Sequence, residues 1–157
     1  MMYKVIGKPM TRTFRVLWAL EELEQPYELE DAAPQSAEIR NYNPSGKVPA
    51  LVVDGTTVTD SVAIITYLAD KHGALTAPAG TLARARQDSV TNMLNDEMDA
   101  LLWMAARHSF ALPEEQRVPA IKDSLRWEFA RSVSRVEARL TDEFIAGESF
   151  SIADILL

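Results

Sequence analysis

The apolar positions change rhythm along the chain. Tyr3-Lys4-Val5-Ile6 is a short apolar run that predicts a buried strand. Pro9, Met10 and Thr11 break it. From about Thr13 to Glu24 apolar residues recur at helical spacing, with Phe14, Leu17 and Trp18 on one side and Val16, Leu20 and Leu23 beside them. So broad a face predicts a helix packed on a sheet, ended by Gln25-Pro26. Tyr27-Glu28-Leu29-Glu30 alternates like a second strand. Residues 31–47, with Pro34, Pro44 and Gly46, form a polar connection. Ala50–Val53 and Thr57–Thr59 flank Asp54-Gly55-Thr56, a strong hairpin signal. A helix follows from Asp60 or Ser61 to Lys71, closed by His72-Gly73. Residues 1–73 thus read βαβ, a connection, then ββα.

Residues 74–80 look like a linker, and beyond it the pattern is helical throughout. One helix is predicted from about Thr81 to Ala111, broken by Leu112-Pro113, and a second from around Pro119 to Ile145. Ser151-Ile152-Ala153-Asp154 fits a capping box, with Phe150 and Ile155 at hydrophobic-staple positions. A helix therefore starts there, and the chain stops after Leu157. One turn cannot hold itself together, so this helix is expected to be docked or part of a longer one. Residues 81–157 accordingly read as an all-helical domain cut short, with apolar surface around Phe150, Ile155, Leu156 and Leu157 exposed or covered by a partner.

Composition narrows the chemistry. The 157 residues include no cysteine, which removes disulfides, thiolate metal sites and a cysteine nucleophile. The formal charge of −7 argues against nucleic acid as the main partner. An apolar content of 47% with 25% charged residues is that of a globular chain and not a disordered one. No apolar run approaches the roughly 20 residues that span a bilayer, and the N-terminus lacks a signal-peptide stretch. A cytoplasmic protein without membrane partners is the expectation.

Three places carry candidate chemistry. In Lys47-Val48-Pro49-Ala50-Leu51, the proline either opens an edge strand or follows a cis peptide that turns the Val48 N–H and C=O toward a peptide-like ligand. Spacing alone favours the plain strand start. Asp60-Ser61 is either an ordinary N-cap or an anion site, with Asp60 then facing an ammonium group. Taken alone, the cap is the simpler account. Thr11 and Thr13 precede the first helix, as caps or as hydroxyls donating to a bound thiolate. Lowering a thiol from about 8.5 by about 2 units takes roughly 2.7 kcal/mol of preference for the anion. One hydroxyl bond plus a helix N-terminus is of that order.

Together these features resemble the glutathione S-transferase family. Thr11-Arg12-Thr13-Phe14-Arg15-Val16-Leu17-Trp18-Ala19-Leu20-Glu21-Glu22-Leu23 looks like its first helix. Asn43-Pro44-Ser45-Gly46-Lys47-Val48-Pro49-Ala50-Leu51 is similar to its NPxGxVPxL segment, and Asp60-Ser61-Val62-Ala63-Ile64-Ile65-Thr66-Tyr67-Leu68 to the segment that follows the hairpin. Phe150–Asp154 resembles the capping box of a core helix in its C-terminal domain. The resemblance implies a thioredoxin-like N-terminal domain with a mixed four-stranded sheet and an all-α C-terminal domain. It implies a glutathione site in which Val48, beside a cis Pro49, bonds the cysteinyl backbone, Asp60 and Ser61 take the γ-glutamyl amine and carboxylate, and Lys47 approaches the glycyl carboxylate.

In related bacterial sequences a Ser stands where Thr11 does, so Thr11 is the candidate thiolate-stabilising hydroxyl, with Thr13 and the Arg12 N–H as alternatives. Tyr3 lies in a strand, so the family's tyrosine mechanism does not carry over, and the cysteine-dependent classes are excluded. Asp60 stands where Glu or Gln is common, with a shorter reach. The implied activity is conjugation of glutathione, as co-substrate and without a metal, to an electrophilic small molecule by a homodimer. A glutathione-dependent reductase or peroxidase and a non-catalytic protein-interaction module are the alternatives.

Other residues fit structural roles. His72 and His108 read as surface or helix-terminus residues, too far apart to form a metal site. Asp96, Glu97 and Asp99 read as a solvated or interface face; by the resemblance, Asp96 is the candidate to reach a partner's glutathione. Trp103, Trp127 and Phe129 read as packing residues, and Arg131, Arg135 and Arg139 as an exposed stripe.

Overall fold

The loops that matter converge because of strand order. Strands β1 (Tyr3–Ile6), β2 (Tyr27–Glu30), β3 (Ala50–Val53) and β4 (Thr56–Thr59) form one sheet in the order β2-β1-β3-β4. The structure, a computed structural model, describes residues 2–157. Helix α1 (Thr13–Glu22) carries the chain back across the sheet, so β1 and β2 pair in parallel. β1–β3 and β3–β4 are antiparallel. The β3–β4 turn is Asp54-Gly55, with φ of 48° and 77°, the positive values a two-residue hairpin requires. Ile6 pairs with Ala50, and Ala50 with Thr59. The segments after β1, before β3 and after β4 therefore emerge at one end of the sheet. This is the βαβ-ββα, thioredoxin-like arrangement.

Helices α1 and α3 (Ser61–His72) pack on each other and on the sheet. Val5, Val16, Leu20, Leu51, Ile64 and Leu68 lose all solvent exposure. The strands alternate, so Ile6 and Ala50 join a separate cluster with Ala32 and Ile39. Ile39 belongs to a one-turn helix, α2 (Ala37–Arg40), inside what the sequence presents as a polar connection. Four residues are too few for a periodic signal, and burial of Ile39 holds this turn in place.

The chain divides into two compact units between Thr81 and Leu82. In the second, the helix predicted as one rod from 81 to 111 follows a single path but is interrupted. α4 (Leu82–Leu94) gives way to a wide π turn at Asn95–Asp99, then α5 (Ala100–Ala106), then a second π turn at Arg107–Ala111. The i→i+5 bonds from Ala100 to Asn95 and from Leu112 to Arg107 mark the two turns.

Helix α6 (Ile121–Arg139) stops six residues short of the predicted Ile145. The Ile145 N–H is taken by Asp154 Oδ1 at 2.9 Å instead of a helical carbonyl. Asp154 also closes the capping box of α7 (Ile152–Leu156), accepting from the Ser151 N–H at 2.8 Å. α7 docks on α4, and Ile155 and Leu156 are 5% and 8% exposed, so the expected apolar surface there is covered from within the chain. Leu157 stays half exposed, and Phe150 packs edge-on against Phe144. Trp127, expected in packing, is 60% exposed and stacks under the Arg131 guanidinium. Among the described residues no helix is long and apolar enough to cross a membrane.

Candidate functional site

The convergent end of the sheet gathers the three candidate segments. The loop after β1 carries Thr11, Arg12 and Thr13; the loop before β3 carries Lys47, Val48 and Pro49; the loop after β4 carries Asp60 and Ser61. A cross-link ties the first to the third. Arg15, one turn into α1, directs Nη1 at Ser61 Oγ, 3.4 Å away.

The loop before β3 is shaped by a side chain that mimics backbone. Asn43 Oδ1 accepts from the Ser45 N–H at 3.1 Å and the Ser45 hydroxyl at 2.9 Å, while its Nδ2 donates to the Lys47 carbonyl at 2.9 Å. Gln35 donates its N–H to the Gly46 carbonyl and Nε2 to the Ser45 carbonyl. Gly46 has φ of 69°, and a Cβ there would overlap the Gln35 amide. The turn delivers a cis Val48–Pro49 peptide. Pro49 is buried, Val48 half-buried and Lys47 exposed. Among the described residues no hydrogen bond engages the Val48 N–H or C=O.

At α3, Asp60 has a positive φ of 74°. Its Oδ1 accepts from the Val62 and Ala63 N–H groups at 2.9 and 3.1 Å. Asp60 is thus an N-cap, and two of the helix's first amides are already satisfied by it. Among the described residues no hydrogen bond engages its Oδ2, and Asp60 is exposed. Ser61 is 3% exposed. Because Arg15 donates to its oxygen, the Ser61 proton is left for a further acceptor. Sequence reasoning missed Arg15 in this role. Its place on the polar side of α1 was readable, but the packing of α1 against α3 was not.

The hydroxyls at the start of α1 form a closed chain. Thr11 Oγ1 donates to the Lys8 carbonyl at 2.7 Å. It accepts from the Thr13 N–H at 3.2 Å and lies 2.9 Å from the fully buried Thr13 hydroxyl. Thr11 therefore caps the helix locally, and its proton reaches another acceptor only by leaving Lys8. Arg12 occupies the N-cap position itself.

Tyr3 lies apart from these segments, 1% exposed, with its hydroxyl 2.8 Å from His72 Nε2. Among the described residues no group of three or more His, Cys, Asp or Glu side chains could hold a metal ion.

Residues 10–71 match the family model described as glutathione S-transferase, N-terminal domain. Glutathione S-transferase GstA of Escherichia coli O157:H7 is 34% identical over 119 residues, 73% of this chain and 56% of that protein. The chain belongs to the glutathione S-transferase family. A glutathione S-transferase from Pseudomonas fluorescens superposes over 98% of this transferase-family chain and 80% of its own, with a TM-score of 0.80 and 25% identity. A glutathione transferase from Phanerochaete chrysosporium, solved with oxidized glutathione, shares the fold over 98% of the chain and 74% of its own, with a TM-score of 0.83 at 22% identity. The chain spans little more than half the length of the Escherichia coli relative.

Proposed function

We propose that the protein is a glutathione transferase, which binds glutathione at the convergent end of the sheet and conjugates it to an electrophilic small molecule. The observation that carries the reading is the convergence of the unengaged Val48 backbone groups with the Arg15–Ser61–Asp60 cluster. Val48 N–H and C=O pair with the cysteinyl backbone as a strand edge would. Ser61 and Arg15 hold the γ-glutamyl carboxylate, and Asp60 Oδ2 faces the ammonium. Lys47 screens the glycyl carboxylate from an exposed position, a weak contact.

The sulfur then lies near the N-terminus of α1. The helix dipole and a hydroxyl or N–H among Thr11, Arg12 and Thr13 favour the thiolate. The thiolate attacks an electrophilic carbon, forming the C–S bond as the leaving group departs. The protein contributes positioning and charge stabilisation, and glutathione supplies the nucleophile. A cytoplasmic homodimer belongs to the same proposal.

The closed Thr11 hydroxyl favours a second reading, in which the site holds glutathione without activating it, as a ligand-bound interaction module. Titration calorimetry with glutathione followed by a conjugation assay separates the two. Binding with turnover is expected. Binding without turnover selects the second reading, and no binding by a chain folded by circular dichroism overturns both. Ser61→Ala is expected to weaken binding by about 1.5–3 kcal/mol, the range for a hydrogen bond to a charged group.

A further inference from the structure

The connection between α5 and α6 is fastened by two side chains that respond differently to pH. Arg117 Nε donates to the Leu112 carbonyl at 2.8 Å and Nη2 to the Phe110 carbonyl at 3.2 Å, satisfying the end of the π turn at Arg107–Ala111. Arginine stays charged at any pH the fold survives, so this fastener is permanent. The second is His108. Its Nδ1 lies 3.0 Å from the backbone N of Val118, ten residues on. A backbone N–H can only donate, so Nδ1 must be the acceptor and the ring must be neutral with its proton on Nε2.

Protonation reverses this bond. An imidazolium carries N–H at both nitrogens, so Nδ1–H would meet Val118 N–H donor to donor, and the contact must open. The charged residues on the elements around the ring are Arg107 on its own turn, Glu114, Glu115 and Arg117 in the connection, and Lys122 and Asp123 in the first turn of α6. Glu114, Glu115 and Val118 are exposed and bury little, so nothing apolar holds the segment once the bond is gone.

We infer that His108 is a pH-sensitive latch: neutral, it holds the Val118 N–H and keeps the α5–α6 connection closed; protonated, it releases Val118 while Arg117 keeps the helix end in place. This goes beyond the glutathione reading and does not depend on it.

Amide hydrogen exchange of the full chain at pH 7.5 and 5.5, corrected for intrinsic exchange rates, tests the latch. In the wild type, protection at Val118 should fall at least tenfold at the lower pH while α6 amides keep theirs. Asn carries an acceptor oxygen close to where Nδ1 sits, so His108→Asn should hold Val118 equally at both pH values. His108→Ala should leave Val118 unprotected at both. Equal wild-type protection at the two pH values overturns the latch, and so does the same fall in His108→Asn.

Discussion

Thr11 and Thr13 share one hydrogen-bond chain: their hydroxyl oxygens stand 2.9 Å apart, and the Thr11 hydroxyl proton goes to the Lys8 carbonyl. This couples the start of α1 to the chemistry proposed for it. Thr11→Ala removes an acceptor from the Thr13 N–H and is expected to destabilise the fold by about 1 kcal/mol, as loss of an N-cap does. Thr11→Ser, which keeps the hydroxyl, should cost less. Urea unfolding reads both. If Thr11 also exchanges Lys8 for the ligand sulfur, Thr11→Ala raises the pKa of bound glutathione, measured by thiolate absorbance, with little change in affinity. A pKa that moves with Thr13→Ala and not with Thr11→Ala would assign the contact to Thr13.

Gly7 is the reason the buried Thr13 hydroxyl has room. Gly7 sits at φ of 147°, and a Cβ there would overlap Thr13 Oγ1. Gly7→Ala therefore faces backbone strain and a steric overlap together. A loss of about 2–4 kcal/mol is expected from the two effects. Gly7→Ala with Thr13→Ala should recover part of it, because the overlapping atom is gone. A double-mutant cycle in urea measures that coupling, and strict additivity would mean that strain alone is at work.

A charged network closes the β1–β2 edge. Lys4 Nζ lies 2.6 Å from Glu30 Oε2, which also accepts from the Tyr42 hydroxyl at 2.9 Å. Bonds from Lys4 and Tyr42 hold the Glu30 carboxyl below its ordinary 4.5. The bond to Glu30 raises the Lys4 ammonium above its ordinary 10.5. For Glu30 the folded value lies below the unfolded one, so its contribution is present above pH 4.5 and is lost as pH falls through the folded value. For Lys4 the contribution is complete below 10.5 and lost only at higher pH. Unfolding curves of the wild type and Glu30→Gln should therefore differ by a constant amount from about pH 5 to 10 and converge below pH 4.5. A difference that persists into acid would leave the carboxylate with no part in it.

Most of the first unit was legible because its strands and helices carry periodic signals. Tyr3–Ile6, the Asp54-Gly55 hairpin and the helix after Asp60 each contain their own start and stop. The misses have a common cause. Helix α2 rests on the single buried Ile39, and beyond the early end of α6 the Ile145 N–H goes to Asp154, contacts outside the span of one helical turn. The π turns at Asn95–Asp99 and Arg107–Ala111 leave the apolar spacing nearly unchanged, so periodicity passes over them. At the site, residue types and order were readable. The bond from Arg15 to Ser61 and the closure of Thr11 onto Lys8 were not, since side-chain direction depends on packing that no local pattern encodes.

Asp60 has two duties that substitution can separate. Its Oδ1 caps α3 by accepting from Val62 and Ala63, and in the proposed site its negative charge faces the γ-glutamyl ammonium. Asn retains an acceptor oxygen at the same reach but no charge. Asp60→Asn should thus keep the cap and most of the stability while weakening glutathione binding by about 1 kcal/mol, roughly fivefold, the scale of an exposed ion pair. The loss should shrink in high salt. Asp60→Ala removes both and adds about 1 kcal/mol of destabilisation from the lost cap. Calorimetry at two ionic strengths gives the binding term, and urea unfolding gives the cap. Equal affinities for wild type and Asp60→Asn would place the ammonium elsewhere and leave Asp60 as a cap alone.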